Sequence, residues 1–390
     1  MYLRVRRKKY CVVINPLSSC INHYDRQCEA KNYSACFAVG GLYLEQKQYS
    51  QAKKYFEMVC HNANSKDTFL VENIYGIVVE LSILKPMQIS CNNLGMFYKK
   101  GYGVRQSYEM ALQYRKKACD LGYGQGCDNV GSTYYNGEGV RQSYEMAFQY
   151  YKKACDLGDG KGCNNVGNAY DKGEGVKKDL NSAKEFFMKS CDLGSGYGCN
   201  NIGLAYYEGK GVRQSYEKAL QYFLKACDLG DNNGCGGVGN AYYYGEGVKK
   251  DLKSAIKFLA KSCDLGSSAG CGVLGSLYYK GEGVRQSYEK AFQYFNKACD
   301  LGNGNGCARV GFAYYDGEGV KKDLNRAIKF YAKSCELEWG IGCVVLGIFY
   351  EGGEGVKQNL SKAKELFGKA CDLGFQKGCD YYKELKEKGY

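Results

Sequence analysis

Six serines are followed three residues later by a lysine: Ser50, Ser82, Ser215, Ser254, Ser287 and Ser361. On a helix this spacing sets an amine beside a hydroxyl, an arrangement suited to acyl transfer if the amine takes the hydroxyl proton. The companions of that chemistry are absent, since neither Ser-Asp-Asn nor Lys-Thr-Gly occurs in the chain. Ser215 and Ser287 also stand where a helix start calls for a capping oxygen, which is a structural reason for serine. Only His23 and His61 are present among 390 residues. A histidine-rich zinc site therefore lacks ligands, and a histidine general base has almost no candidates. No metal and no cofactor are expected.

Cysteine is the second reactive type, and its spacing is regular. Nine pairs lie eight positions apart: Cys28/Cys36, Cys119/Cys127, Cys155/Cys163, Cys191/Cys199, Cys227/Cys235, Cys263/Cys271, Cys299/Cys307, Cys335/Cys343 and Cys371/Cys379. Cys11, Cys20, Cys60 and Cys91 are left over; counted eight positions along, Cys60 meets Thr68 and Cys91 meets Ile83. Metal binding is the competing account, but there is no Cys-x-x-Cys and each pair would need two further ligands. Disulfides are the better reading, and they place the chain in an oxidising compartment, secreted or periplasmic. Each would close a loop of about nine residues, contributing about 2.6 kcal/mol in the chain-entropy model. The N-terminus supports export in part. Arg4 to Lys9 resembles the basic start of a signal, whereas Tyr10 to Leu17 is short and holds Asn15 and Pro16. Residues 1–27 are thus read as a basic segment with a degenerate export signal.

These residues must be positioned by a repeat. Val104, Val140, Val176, Val212, Val248, Val284, Val320 and Val356 recur every 36 residues without a slip. A unit reads Gly-x-Gly-Val, a polar linker, a helical run to Cys-Asp-Leu-Gly, a short loop, and a second run ending near Gly-x-x-Tyr. Ser107, or Asp179, Asp251 and Asp323 in the same column, caps the outer helix, and Gly122 closes it. In the inner helix Cys127, Val130, Gly131 and Tyr134 share one face, expected to be buried. The Gly-Glu-Gly-Val segments, such as Gly137 to Val140 and Gly281 to Val284, are helix-to-helix turns, because no strand precedes them as a phosphate loop requires. Arg-Gln-Ser-Tyr units at Ser215 and Ser287 interleave with Lys-Lys-Asp-Leu units at Asp179, Asp251 and Asp323, pointing to duplication of a two-repeat block. One hairpin cannot cover its own apolar face, so the fold class is all-α, a right-handed αα superhelix of 36-residue helix-turn-helix repeats stapled by disulfides.

The repeats also set the domain limits. Residues 28–60 hold a looser copy and residues 91–379 the tandem array, with 380–390 as a polar C-terminal cap. Residues 61–90 lose register and are expected to form an atypical helix or a divergent segment. The run from Phe69 to Leu84 is too short and polar for a membrane span.

A solenoid offers a concave side to partners. Positions two and five after each inner cysteine lie opposite it on the helical wheel. The first column reads Asn129, Asn165, Asn201, Gly237, Val273, Arg309 and Val345; the second reads Ser132, Asn168, Leu204, Asn240, Ser276, Phe312 and Ile348. The amides suit the backbone of an extended peptide or protein segment, and the apolar end suits anchors. A merely solvated wall remains the alternative. Tyr134, Tyr170, Tyr206, Tyr242, Tyr278, Tyr314 and Tyr350 form a column expected to be buried, and Tyr135, Tyr207, Tyr243, Tyr279 and Tyr315 one expected to be half exposed. The net charge of +13 would suit an acidic partner. Outside Arg4 to Lys9 it is spread in small groups such as Lys177-Lys178, so nucleic acid is not the expected partner.

The Gly-x-Gly-Val turn, the alanine column at Ala111, Ala147, Ala183 and Ala219, and the Gly-x-x-Tyr inner helix resemble Sel1-like repeats, relatives of tetratricopeptide repeats. The Cys-x7-Cys staple is similar to that of the Helicobacter cysteine-rich protein family. That resemblance covers residues 91–379 strongly and 28–60 weakly. It implies an exported protein and, for activity, penicillin binding or weak beta-lactamase action on beta-lactam or peptidoglycan-like ligands. The residues themselves favour a groove that binds a protein, peptide or cell-wall fragment.

Overall fold

The computed structural model describes residues 17–63, 68–72 and 78–390. The basic start, the core of the proposed export signal and Cys11 lie outside the described residues, as does the side chain of Cys20, so their readings are not addressed by the structure. The chain forms two compact units, Met1–Gly198 and Cys199–Tyr390.

Helices come in pairs. The first pairs are α1 (Leu17–Glu29) with α2 (Tyr33–Glu45), and α3 (Tyr49–Asn62) with α4 (Leu84–Lys100). Outer helices follow as α5 (Tyr108–Asp120), α7 (Tyr144–Asp156), α9 (Leu180–Asp192), α11 (Tyr216–Asp228), α13 (Leu252–Asp264), α15 (Tyr288–Asp300), α17 (Leu324–Glu336) and α19 (Leu360–Asp372). Their inner mates are α6 (Gly124–Asn136), α8 (Gly160–Lys172), α10 (Gly196–Glu208), α12 (Asn232–Tyr244), α14 (Ser268–Lys280), α16 (Gly304–Asp316), α18 (Gly340–Gly352) and α20 (Gln376–Glu387). Among the described residues the fold is an all-α solenoid with one small hairpin. No helix among the described residues is long and apolar enough to cross a membrane.

The caps are where the spacing predicts them. Ser107 Oγ accepts from the Met110 amide at 3.2 Å, and Asp179 Oδ1 from Asn181 at 3.0 Å, each satisfying a free first-turn donor. Between repeats the turn passes close over the preceding outer helix. Gly175, at φ 71°, needs glycine twice over, since its conformation is left-handed and a Cβ there would run into the Tyr144 backbone.

Cysteines form the core with small neighbours: Ala118, Cys119, Cys127 and Val130 are fully buried. Eight local staples are seen, Cys28–Cys36, Cys119–Cys127, Cys155–Cys163, Cys227–Cys235, Cys263–Cys271, Cys299–Cys307, Cys335–Cys343 and Cys371–Cys379. Cys191 and Cys199 are disulfide-bonded as well. In alternate outer helices a buried serine replaces the alanine before the cysteine. Ser190, Ser262 and Ser334 donate to the carbonyls of Gly160, Asn232 and Gly304 in the preceding repeat, at 2.6, 2.8 and 2.8 Å. The two-repeat alternation in sequence is therefore also an alternation in how outer helices are tied to their neighbours.

Two open readings are completed and one expectation is corrected. Cys60 and Cys91 are not unpaired: they bridge to one another across a separation of 31 residues, with Cα atoms 5.1 Å apart. Cys60 ends α3 as Cys119 ends α5, and Cys91 lies in α4 as Cys127 lies in α6, so this is an ordinary staple whose loop has been lengthened. Into that loop fits an antiparallel hairpin, β1 (Thr68–Glu72) with β2 (Val78–Ser82), in the register Thr68↔Ser82 to Glu72↔Val78. Residues 61–90 thus run from the end of α3 through an insertion to the start of α4, the divergent segment of the two alternatives rather than the atypical helix. The valines at 71, 78 and 79, branched at Cβ, favour the extended chain. Finally, the first tyrosine column is half-buried, with only Tyr314 buried. From Tyr134 to Tyr314 each ring stacks on an aromatic of the next outer helix, as Tyr134 on Tyr150 at 5.7 Å, while Lys116 caps the Tyr134 face at 5.4 Å. The C-terminal residues continue α20, whose Leu385 is buried in the core of the last repeats.

Candidate binding face

The inner helices carry the candidate columns, and within the first unit two of their members converge. Asn165 and Asn168 of α8 line a pocket of about 220 Å³ with Tyr135 of α6, Tyr144 and Tyr151 of α7, and Glu174 of the following turn. Its walls are held in place. The Tyr135 and Tyr144 rings meet edge to face at 5.2 Å, and Gln142 Nε2 donates to the Tyr135 carbonyl at 2.7 Å and to Tyr144 Oη at 3.2 Å. At the base, Tyr151 is buried against Gly131, where a Cβ would meet its ring at 2.6 Å. Burial pushes the Tyr151 hydroxyl up to about 12, against the hydrogen bond to Ser132 at 3.4 Å that lowers it. Glu174 faces Lys172 at 3.9 Å.

The asparagine columns are half-buried rather than open in this unit. Asn129 Nδ2 donates to Asn92 Oδ1 at 2.8 Å and Asn165 Nδ2 to Asp128 Oδ1 at 2.7 Å, linking successive inner helices. Asp128 is buried, and desolvation first, then repulsion from Asp159, raises its carboxyl to about 6; the Asn165 bond and Lys161 pull the other way.

In the second unit Asn201 is half-buried and Asn240 exposed. Arg309 and Phe312 of α16 come together in a shallow site of about 10 Å³ with Tyr279, Tyr288, Phe295 and Glu318. Val345 packs against the core of the last repeats, and Ile348 is 43% exposed.

The turn glutamates are functional candidates that the sequence reading passed over. Tyr243 Oη donates to Glu282 at 2.7 Å, Tyr207 Oη to Glu246 at 3.4 Å, and Lys99 Nζ lies 2.7 Å from Glu138. The recurrence of Glu at a turn position that any polar residue could fill was the available signal.

In five of the six serine–lysine pairs the lysine makes a contact away from its serine. Ser215 and Ser287 accept from the amides of Lys218 and Lys290, whose ammonium groups sit over the rings of Tyr206 and Tyr278 at 5.3 and 5.2 Å. Ser254 donates to Asp251, and Lys257 lies 5.8 Å over Phe258. Lys53 pairs with Glu57 at 3.1 Å, and Lys364 donates to the Tyr390 carbonyl.

This repeated geometry agrees with a family model, the Sel1 repeat, which matches residues 88–123, 124–159, 160–195, 196–231, 234–267, 269–303, 304–338 and 341–375. The chain belongs to the Sel1 repeat family. Among solved structures it is similar to a protective antigen of uropathogenic Escherichia coli strains with an SLR fold, at 24% identity over 95% of this chain and 83% of that one, with a TM-score of 0.55. A Sel1 repeat protein from Oxalobacter formigenes is 28% identical over 63% of this chain and 99% of its own, with a TM-score of 0.57. Helicobacter pylori cysteine rich protein B is 41% identical over 34% of this chain and 96% of its own, with a TM-score of 0.29. A search among curated proteins finds no match. As a Sel1 repeat protein rich in disulfides, the chain fits an oxidising, extracytoplasmic setting.

Proposed function

We propose that this Sel1 repeat protein is a secreted or periplasmic scaffold whose inner-helix face binds an extended peptide segment of a partner protein. The observation that carries the reading is the pocket where Asn165 and Asn168 meet aromatic walls and an acid, because it combines backbone-pairing amides with a place for a side chain. The local staples support it by keeping the presenting helices rigid, so little ordering entropy opposes binding. The test is a nonapeptide array probed with the oxidised protein, followed by affinity measurements on the strongest sequence. Asn168→Ala should weaken binding roughly fivefold, the value of about one net hydrogen bond, with far-UV circular dichroism confirming that the variant is folded. Unaltered affinity in both Asn168→Ala and Phe312→Ala would discard the face as the binding site.

A further inference from the structure

The two sites of the inner-helix face are one construction filled in two ways. Four repeats separate them, and position by position Tyr135, Tyr144 and Glu174 become Tyr279, Tyr288 and Glu318. The wall geometry is the same, with edge-to-face tyrosines at 5.2 and 5.3 Å. Phe148 meets Tyr170 edge on at 5.4 Å, as Phe292 meets Tyr314 at 5.4 Å. The changes that matter for space are Asn165 to Arg309 and Asn168 to Phe312. With them the free volume falls from about 220 to about 10 Å³. The second unit thus closes its copy with side chains of its own, Arg309 and Phe312.

We propose that the open pocket of the first unit takes an arginine side chain of the bound peptide, between tyrosine walls and a turn glutamate equivalent to those that line the site of Arg309, with Lys172 standing where the second unit has Asp316. This deepens the peptide-binding reading and rests on it. The space of about 220 Å³ holds about seven water-sized groups, the size of an arginine side chain beyond Cα. Tyr135 and Tyr144 offer ring faces to a flat cation, and the half-buried Glu174 offers an acid to its N–H groups. Lys172 is the present neighbour of Glu174 at 3.9 Å, an exposed ammonium that the arriving guanidinium would displace. The chain's charge of +13 opposes any cation at long range, so a preference for arginine must come from these local groups.

The experiment uses the oxidised full chain and two fluorescein-labelled Ser/Ala nonapeptides, one with a central arginine and one with citrulline, which keeps the shape and removes the charge. Fluorescence anisotropy should give the arginine peptide roughly fivefold tighter binding, the scale of one cation–ring contact. Glu174→Gln should abolish that preference, and Lys172→Ala should enlarge it. Asn168→Phe should lower arginine binding to the citrulline level by closing the pocket. The reverse change, Arg309→Asn with Phe312→Asn, should open the second copy and raise the stoichiometry from one peptide to two; far-UV circular dichroism confirms that each variant is folded. Equal affinity for the two peptides in the wild type, or a preference that survives Glu174→Gln, overturns the arginine pocket. If both peptides bind equally and both weaken in Asn168→Ala, the pocket assignment fails while the peptide-binding face stands. If neither binds while array peptides lacking arginine do, the pocket is likewise refuted and the face retained; if no peptide of any kind binds, both fall.

Discussion

Replacing Asp128 with asparagine tests the electrostatics that hold the asparagine column together. The side chain is 8% exposed and accepts from Asn165 at 2.7 Å, while burial raises its pKa from 3.8 to about 6. Because the folded state binds this proton more tightly than the unfolded chain does, it carries the extra proton between about pH 4 and pH 6. Stability must then fall as pH rises through that window, the opposite of the usual carboxylate. Two pKa units correspond to about 3 kcal/mol of stability, present below the unfolded value and fully lost above the folded one. An asparagine at this position would keep the oxygen that Asn165 needs and carry no charge. Asp128→Asn should therefore stabilise the oxidised protein by up to about 3 kcal/mol at pH 7 and leave it unchanged at pH 4. Urea denaturation followed by tyrosine fluorescence at both pH values reads the difference. A gain of equal size at the two pH values, or a loss at pH 7, would refute the assignment of a buried, poorly ionised carboxyl.

Further outcomes follow from the staples, the tie serines and the caps. Mass spectrometry of unreduced peptides should recover a Cys60–Cys91 bridge beside the local ones. Removing it as Cys60→Ser with Cys91→Ser should cost about 3.7 kcal/mol, against about 2.6 kcal/mol for Cys119→Ser with Cys127→Ser, because the longer loop gains more freedom when unfolded. Ser262→Ala should cost about 1 kcal/mol in chemical denaturation through loss of the bond to the Asn232 carbonyl. Ser215→Ala should also cost about 1 kcal/mol as a lost helix cap. Nitrocefin turnover should be the same before and after the Ser215 change; a selective loss would restore the serine as a nucleophile.

What the sequence disclosed and what it concealed divide along a physical line. Helix pairs, caps and local staples are set by neighbours a few residues apart, so an unbroken period exposes Ser107, Gly122 and Cys119/Cys127 directly. The Cys60–Cys91 bridge has the same helix ends in space but not the same count along the chain, and counting at fixed spacing could not find it. The half-buried tyrosines were misplaced because a helical wheel assigns a face without knowing what the next outer helix offers; Tyr150 and Lys116 share Tyr134 between them. The partners of the turn glutamates lie a full repeat away, as Tyr243 and Glu282 do, so no local pattern carries that contact. The helical wheel puts Asn165 and Asn168 on one face, yet the bond from Asn165 to Asp128 depends on the neighbouring inner helix and has no local sign.

The comparison of the two pockets also indicates where a repeat protein of this kind can change its ligand at least structural cost. Glycines under aromatic rings, such as Gly131 below Tyr151 and Gly167 below Phe187, cannot enlarge without moving the core. Cysteines, capping residues and turn glycines are similarly fixed by bonds or backbone conformation. The two face positions are different in kind, because amides at 165 and 168 and a cation with a ring at 309 and 312 occupy equivalent places without altering the tyrosine walls. Duplication can therefore multiply a rigid frame while substitutions at two positions open, close or recharge each copy. It follows that Asn168→Phe and Phe312→Asn should alter binding in opposite senses, Phe312→Asn with some loss of stability because its ring packs against the core of the last repeats, whereas Gly131→Ala should damage stability in either background by forcing the Tyr151 ring out of its place.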